Sequence, residues 1–320
     1  FNDASYTVNV TDITGDSTTN AKKDSITTIA TYENESDTTI TILIQPAYSY
    51  YYFFLKNWPL PLEYDAGDTL IGPIHANSRI RISNNPVFLA KVSSSENTYQ
   101  GVSNPNPKFY GGSEFGTVTI ELSATILSPL INVITSGGDV YDNTIWIELN
   151  GTSYNVYNDP YITLIATHNL TDFNRTIMTT GNKDIHVKGT VDGQITILSD
   201  KRILIEDDVI CANDPSIDPS SDDFIGLIAH HQVILVDNVA NSSDLVIHAA
   251  IMANHDEIQV ENSGGAARGT LTIVGSIIET DYLSLTSDYI LNHIYDARLI
   301  DKTPPYFPRL NRVEQVFRSD

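Results

Sequence analysis

The chain has 320 residues, with 40 Asp and Glu against 18 Lys and Arg, a formal charge of -22 and a pI near 4.5. No basic cluster offsets that acidity, so a nucleic-acid backbone is not an expected partner. A hydrophobic content of 41% is enough for a packed core, while a mean hydropathy of -0.13 and the lack of an apolar run long enough for a spanning helix exclude a membrane-embedded body. One cysteine, Cys211, rules out an intramolecular disulfide framework and reads as a small buried hydrophobe at a strand end.

Residues 1–60 read as a small antiparallel unit. Tyr6, Val8 and Val10 alternate, Ile26 to Tyr32 is rich in Thr and Ile, and Ile40, Ile42 and Ile44 alternate again. Such a β cap would cover one end of the body that follows, and Ile40, Ile42 and Ile44 are the expected anchors if this segment instead adds a strand to a second copy. The run Tyr48, Tyr50, Tyr51, Tyr52, Phe53, Phe54 and Trp58 is dense in aromatics. It reads as the seal between cap and body, with a sugar-stacking platform as its alternative.

From residue 61 to the C-terminus the pattern is a strand, a corner and another strand, many times over. Between Leu70 and Val92, Ile74, Ile80, Ile82 and Val87 point inward while Gly72, Asn77, Asn84 and Asn85 make corners, with His75 a structural residue among them. Residues 93–116 lack periodicity and read as a loop excursion, and Val118 to Ile134 fits a short helix or a further strand equally. At Ile145, Ile147 and Leu149 the alternation returns and turns Trp146 outward, as a candidate surface contact.

The stretch Asp184 to Leu235 carries the strongest signal. Pairs of apolar residues on alternate positions (Ile185 and Val187, Ile195 and Ile197, Ile203 and Ile205, Ile225 and Leu227, Val233 and Leu235) are separated by Gly, Asp, Asn or Ser. Strands of three to five residues cannot each bury a face alone, so they need neighbours stacked above and below. The steps Ile185 to Ile203, Ile203 to Ile225 and Ile225 to Leu245 span 18, 22 and 20 residues. A period of about 20 residues with polar corners is what a parallel β-helix requires. The expected fold is therefore all-β: a parallel β-helix, or solenoid, with the N-terminal antiparallel cap and, over 295–320, a proline-rich C-terminal cover containing Pro304, Pro305 and Pro308. Buried stacks should include Ile195, Ile197, Ile203, Ile205, Leu227, Val233, Leu245 and Ile247.

In order along the chain, LIGPIHANSRIRISNNPVFLAKV, HVKGTVDGQITILSDKRILIEDDVI, FIGLIAHHQVIL, AAIMA, RGTLTIVGSII and YDARLIDKTPPYFPRL resemble the PilX-like, type IV pilus-associated β-helix proteins of bacterial envelopes. The resemblance runs over roughly residues 45–310 and rests on the order of the motifs. It implies the right-handed hand of the helix, export to the cell surface, and a role in adhesion or filament assembly with pilus components as partners. It brings no catalytic residues. Members of that family carry a hydrophobic helix ahead of the β region, which this sequence does not display.

β-Helices also house polysaccharide lyases and hydrolases, so catalysis is the competing reading. Asp207 with Asp208, and Asp222 with Asp223, supply paired carboxylates, but no Gly-His-Gly or Arg-x-Lys accompanies them. The histidines show no zinc-ligand spacing. Asp214, Asp218, Asp222 and Asp223 in ANDPSIDPSSDDF form a candidate calcium loop of hard oxygens in a proline-stiffened segment. The function expected is a noncatalytic exported structural or adhesive protein of the cell surface, and the alternative is a carbohydrate-active or polysaccharide-binding protein.

Overall fold

The computed structural model describes residues 4–33, 35–55, 63–171, 174–265, 267–279 and 288–319, with backbone alone for 314–319. Trp58 and the boundary expected at residue 60 lie outside the described residues. Strand is the predominant element, and most strands belong to one large set paired mainly in parallel.

Short apolar strands with a glycine or polar corner at each end are forced to find partners from distant parts of the chain, and they do so in ladders. The longest ladder runs, in spatial order, through Asp139–Tyr141, Thr176–Thr179, Gln194–Ser199, Phe224–Ala229, the C-terminal half of Leu245–Ala253, the C-terminal half of Gly269–Glu279, Phe53–Leu55, Ile74–Ala76, Val92–Ser94 and Ser113–Phe115. Spatial order therefore differs from chain order. The earliest of these strands in the sequence, Phe53–Leu55, docks in parallel on Ile277–Glu279, so the ladder's two ends are strands from the middle of the chain.

Alternation along the strands of this ladder produces two columns. Ile177, Ile197, Leu227, Ile251, Ile277, Phe53, Ile74 and Val92 belong to the inner core cluster, and all are buried. Met178, Leu198, Ile228, Met252, Ile278 and Phe54 point the other way, yet they too are buried, under a second cluster. That cover comes from Ile120 and Leu122, from Leu127, Leu130 and Ile134, and from Phe307 and Leu310. The stretch left open between helix and strand is thus a 3-10 turn, Ala124–Leu127, followed by an α-helix, Ser128–Gly137. Pro129 suits the helix start, and Leu130 and Ile134, four apart, share the buried face.

The inner core is closed by further ladders. One stacks Ile145, Ile185, Ile203, Val233 and Ile258, with Ile147, Val187, Ile205, Leu235 and Val260 beside it; all ten are buried. Another carries Leu149, Gly189, Val209, Ile247 and Ile273. Near the N-terminal strands the closure comes from two three-stranded ladders, Glu63–Tyr64 with Arg81–Ile82 and Gln100–Gly101, and Thr69–Leu70 with Val87–Phe88 and Lys108–Phe109. All eight residues expected in buried stacks are buried.

Three expectations need correction. The steps from Ile203 to Ile225 and from Ile225 to Leu245 are not stacking steps: Ile203 lies on Val233, Ile225 on Ile195 and Leu245 on Leu271, because successive strands belong to different ladders and the loop before Phe224 lengthens one repeat. Residues 93–116 are not a bare excursion, since Gln100–Gly101, Lys108–Phe109 and Ser113–Phe115 all pair into ladders. The C-terminal segment does not cover an end. It crosses the flank of the long ladder, where the Thr196 hydroxyl donates to the Pro305 carbonyl and Gly226 leaves room for Pro304 and Phe307.

In the N-terminal region the alternation gives strands Ala4–Asp12, Lys22–Tyr32 and Glu35–Gln45, paired antiparallel in that order. The far edge of Glu35–Gln45 is taken by Glu314–Ser319, making a four-stranded sheet from both termini of the chain. Backbone bonds from Ala21 to Asp301, Thr303 to Thr19, Tyr306 to Thr18 and Leu310 to Pro46 tie this sheet to the body.

Candidate functional site

A groove of about 1110 Å³ lies between the covering segment 116–133 and the C-terminal segment 306–312, with Tyr48 and Gln45 also lining it. It exists because the cover and the C-terminal segment lie side by side on the long ladder without meeting along their whole length. Ile126, Pro129 and Val133 give one wall its apolar character, and Tyr306 and Pro308 the other. Three of its charged groups are already engaged, while Glu121 is exposed. Arg309 donates to the Ser17 and Asn20 carbonyls at 2.6 and 2.7 Å, Arg312 to the Tyr51 hydroxyl, and Glu114 is held low by Lys91 at 2.8 Å. The Tyr48 hydroxyl donates to the Glu121 carbonyl, and burial raises its pKa. What this lining offers is apolar contact and hydrogen bonding. The sequence signal that could have found one wall was the helical spacing of Leu127, Leu130 and Ile134.

Trp146 sits half-buried on the outward side of Ile145–Gly151. Its ring stacks on His186 at 4.5 Å, and His186 in turn pairs with Glu206 at 2.5 Å. Around it the cross-strand neighbour Tyr157 donates to Glu148 at 3.0 Å, and Lys188 lies 4.1 Å over the ring of Tyr161. Tyr161 has a φ of 60°, a conformation that a bulky side chain rarely adopts. The result is an aromatic patch edged by both charges, assembled from the hairpin Ile145–Gly151 and Ser153–Tyr157 and from the strands stacked beneath.

The four acids of the candidate calcium loop are not brought to one centre. Asp214 accepts from the backbone and hydroxyl of Ser216, and Asp218 does the same with Ser220, two copies of one Asp-Pro-Ser turn. Asp223 is buried and accepts from Gly193 and from the backbone and side chain of Asn213, while Asp222 is exposed. Among the described residues no group of three or more His, Cys, Asp or Glu is placed to hold a metal ion. Asp207 is exposed, and Asp208 caps the Val246 backbone N–H at 2.7 Å.

His75 is buried on its strand, stacked on Phe54, with its ring nitrogens 2.8 Å from the Ser93 hydroxyl and 2.9 Å from the Asn77 amide oxygen. Burial pushes its pKa down to about 4. Cys211 is buried as expected, and burial pushes its thiol up to about 12. The aromatic run is largely interior: Tyr48, Tyr51, Tyr52, Phe53 and Phe54 are all buried. One cluster escaped the sequence reading. His230, His231 and His255 are in mutual ring contact, brought together by a corner shared between successive repeats. Burial and the two neighbouring imidazoles lower the pKa of His230.

Glu35–Gln45, expected to be the assembly strand through Ile40, Ile42 and Ile44, is not an open edge. Lys22–Tyr32 bonds one side along its length and Glu314–Ser319 the other over Ile40–Ile44, so the stretch that holds the three expected anchors already has a strand on each side. The open edge on that flank of the sheet is Ala4–Asp12.

The competence-associated pilin ComZ from Thermus thermophilus is a solved structure similar to this chain. The match covers 99% of this chain and 84% of the pilin at a TM-score of 0.39 and 8% identity, a likeness too low to carry argument. No protein-family model matches, and neither does any curated protein. Among the described residues no helix is long and apolar enough to cross a membrane.

Proposed function

We propose that this chain is a noncatalytic structural or adhesive protein of a bacterial cell surface, associated with a pilus or filament and built on a right-handed parallel β-helix. The observation that carries the reading is the four-stranded sheet of the chain's two termini, whose outermost strand, Ala4–Asp12, is exposed along its whole length beside a stacked, doubly buried body. A rigid stack with a protruding open strand suits an assembly component, whose work is to hold shape and to present an edge. The order of motifs along the sequence supports the same location and partners. Immunogold labelling of intact native-host cells and of sheared filaments with antibody to this chain tests it. Label on filaments or the outer surface is expected, and recovery of the chain solely from the cytoplasm overturns the proposal.

A second reading, polysaccharide binding, is favoured by the Trp146 patch, where aromatic faces lie beside Glu148, Lys188 and Asn155. Rings of this kind stack on sugar faces while edge polar groups bond hydroxyls. A glycan array should then show binding that Trp146→Ala abolishes. Turnover of a polysaccharide, lost in Asp207→Asn or Asp222→Asn, would replace the noncatalytic reading with an enzymatic one.

A further inference from the structure

We infer that Ala4–Asp12 pairs antiparallel with the same strand of a second copy, joining two four-stranded sheets into one across a two-fold axis at Val8. The inference rests on the assembly reading above and names its interface.

All nine residues of Ala4–Asp12 are exposed, and among the described residues the strand has a bonded neighbour on one side only, Lys22–Tyr32. Its outer side is a row of backbone donors and acceptors without a strand partner. Edges of that kind are ordinarily blunted by charge, proline or a bulge. The sequence ASYTVNVT, Ala4 to Thr11, contains neither proline nor a charged residue, and its register with Lys22–Tyr32 is unbroken. In a chain of net charge -22 this is a conspicuously neutral stretch. The sheet's opposite edge makes the contrast. Glu314–Ser319 includes Glu314 and Arg318 and shifts register between Gln315 and Phe317, the guarded form of an edge.

The occupant that fits is the strand itself. An antiparallel two-fold at Val8 sets Val8 against its copy, Tyr6 against Val10, and Asp12 against Ala4, so no like charges meet although both molecules are strongly acidic. Tyr6, Val8 and Val10 are 79%, 50% and 65% exposed, and all three lie on one face of the sheet, opposite Ala30, Thr28 and Ile26 respectively. Pairing would join the Tyr6, Val8 and Val10 row to its copy across the axis, with cross-strand contacts adding to the backbone bonds. A partner protein of unrelated sequence would have no reason to match the neutral centre and the acid at one end.

The test is the molar mass of the whole chain by light scattering on a sizing column, up to its highest soluble concentration, for wild type, Val8→Lys, Val8→Glu and an equimolar mixture of the two variants. Wild type should reach twice the 35.3 kDa of one chain. Each variant alone should place like charges opposite each other and weaken association by about tenfold or more. Mixing them should restore the dimer, which also shows that both variants are folded. A monomeric wild type, association indifferent to charge at Val8, or failure of the mixture to recover would each overturn the inference. These outcomes concern two purified copies, so they leave surface location to be decided separately by the labelling experiment.

Discussion

At the scale of single residues, the stack leaves its mark where one strand passes close to the next. Gly275 has a φ of 153°, and a Cβ there would meet the Ala249 carbonyl oxygen at 1.9 Å; Gly189, at φ 112°, would meet that of Leu149 at 2.2 Å. Both glycines therefore serve backbone conformation and interstrand spacing at once. Gly275→Ala should destabilise the protein by about 3 kcal/mol or more, combining strained backbone with overpacking, and a thermal melt measures it. An unchanged melting temperature would refute the close packing of these strands. His75 supplies a pH-dependent counterpart. Folding keeps it neutral between Ser93 and Asn77, with Tyr51 and Phe54 against the ring and Lys91, Arg312 and Glu114 as the nearby charges. Its folded pKa of about 4 lies below an unfolded value near 6.5, so the unfolded chain binds the extra proton first. Stability contributed by neutral His75 is complete above pH 6.5 and is lost as pH falls toward 4. The wild type should lose roughly 3 kcal/mol more across that window than His75→Gln, by denaturant titration at each pH.

At the scale of elements, the two faces of the long ladder have different roles. The inner face shares its core with the neighbouring ladder, where Ile205 stands between Val187 and Leu235 and an ionised side chain would have neither water nor partner. Ile205→Asp should abolish cooperative folding, and a circular dichroism spectrum and melt like those of wild type would count against a stacked interior. The outer face is sealed by an added layer, so Ile134→Ala, at a fully buried helix position, should cost about 2 to 5 kcal/mol while leaving the inner ladders formed. Strand identity and inward positions were legible because alternation is local. The corner at Asn84 was legible too, for its φ of 51° is one that asparagine tolerates. Stacking partners were harder to read. Successive strands belong to different ladders, and the Asp-Pro-Ser turns lengthen one repeat, so spacing alone joined Ile203 to Ile225 across two ladders. The strands at Gln100–Gly101 and Lys108–Phe109 were missed because two residues are too few to show alternation. The groove was illegible for a different reason, since its walls are far apart in sequence and meet only through the ladder beneath them.

At the scale of the whole molecule, the order of strands in space has a consequence for how stability is distributed. In a stack of repeats each member leans on its neighbours, so the end members are expected to open first. Among the described residues the ends are Ser113–Phe115, which pairs with Val92–Ser94, and Asp139–Tyr141, which pairs with Thr176–Thr179. Both are largely exposed or half-buried, with patterns quite unlike the all-buried Phe53–Leu55. Phe53–Leu55 begins the body in sequence but sits inside the ladder, bonded to Ile277–Glu279 on one side and Ile74–Ala76 on the other. Hydrogen exchange under native conditions should accordingly give the slowest amides at Phe53–Leu55, Ile251–Ala253 and Ile277–Glu279, and faster ones at Ser113–Phe115 and Asp139–Tyr141. Phe54→Ala, which empties a fully buried site at the seam, should cost about 3 to 5 kcal/mol and speed exchange on both sides of it, in Ile74–Ala76 and in Ile277–Glu279 alike. Exchange that instead accelerates only in the N-terminal strands, with Ile277–Glu279 unchanged, would mean that the beginning and end of the body do not share one ladder.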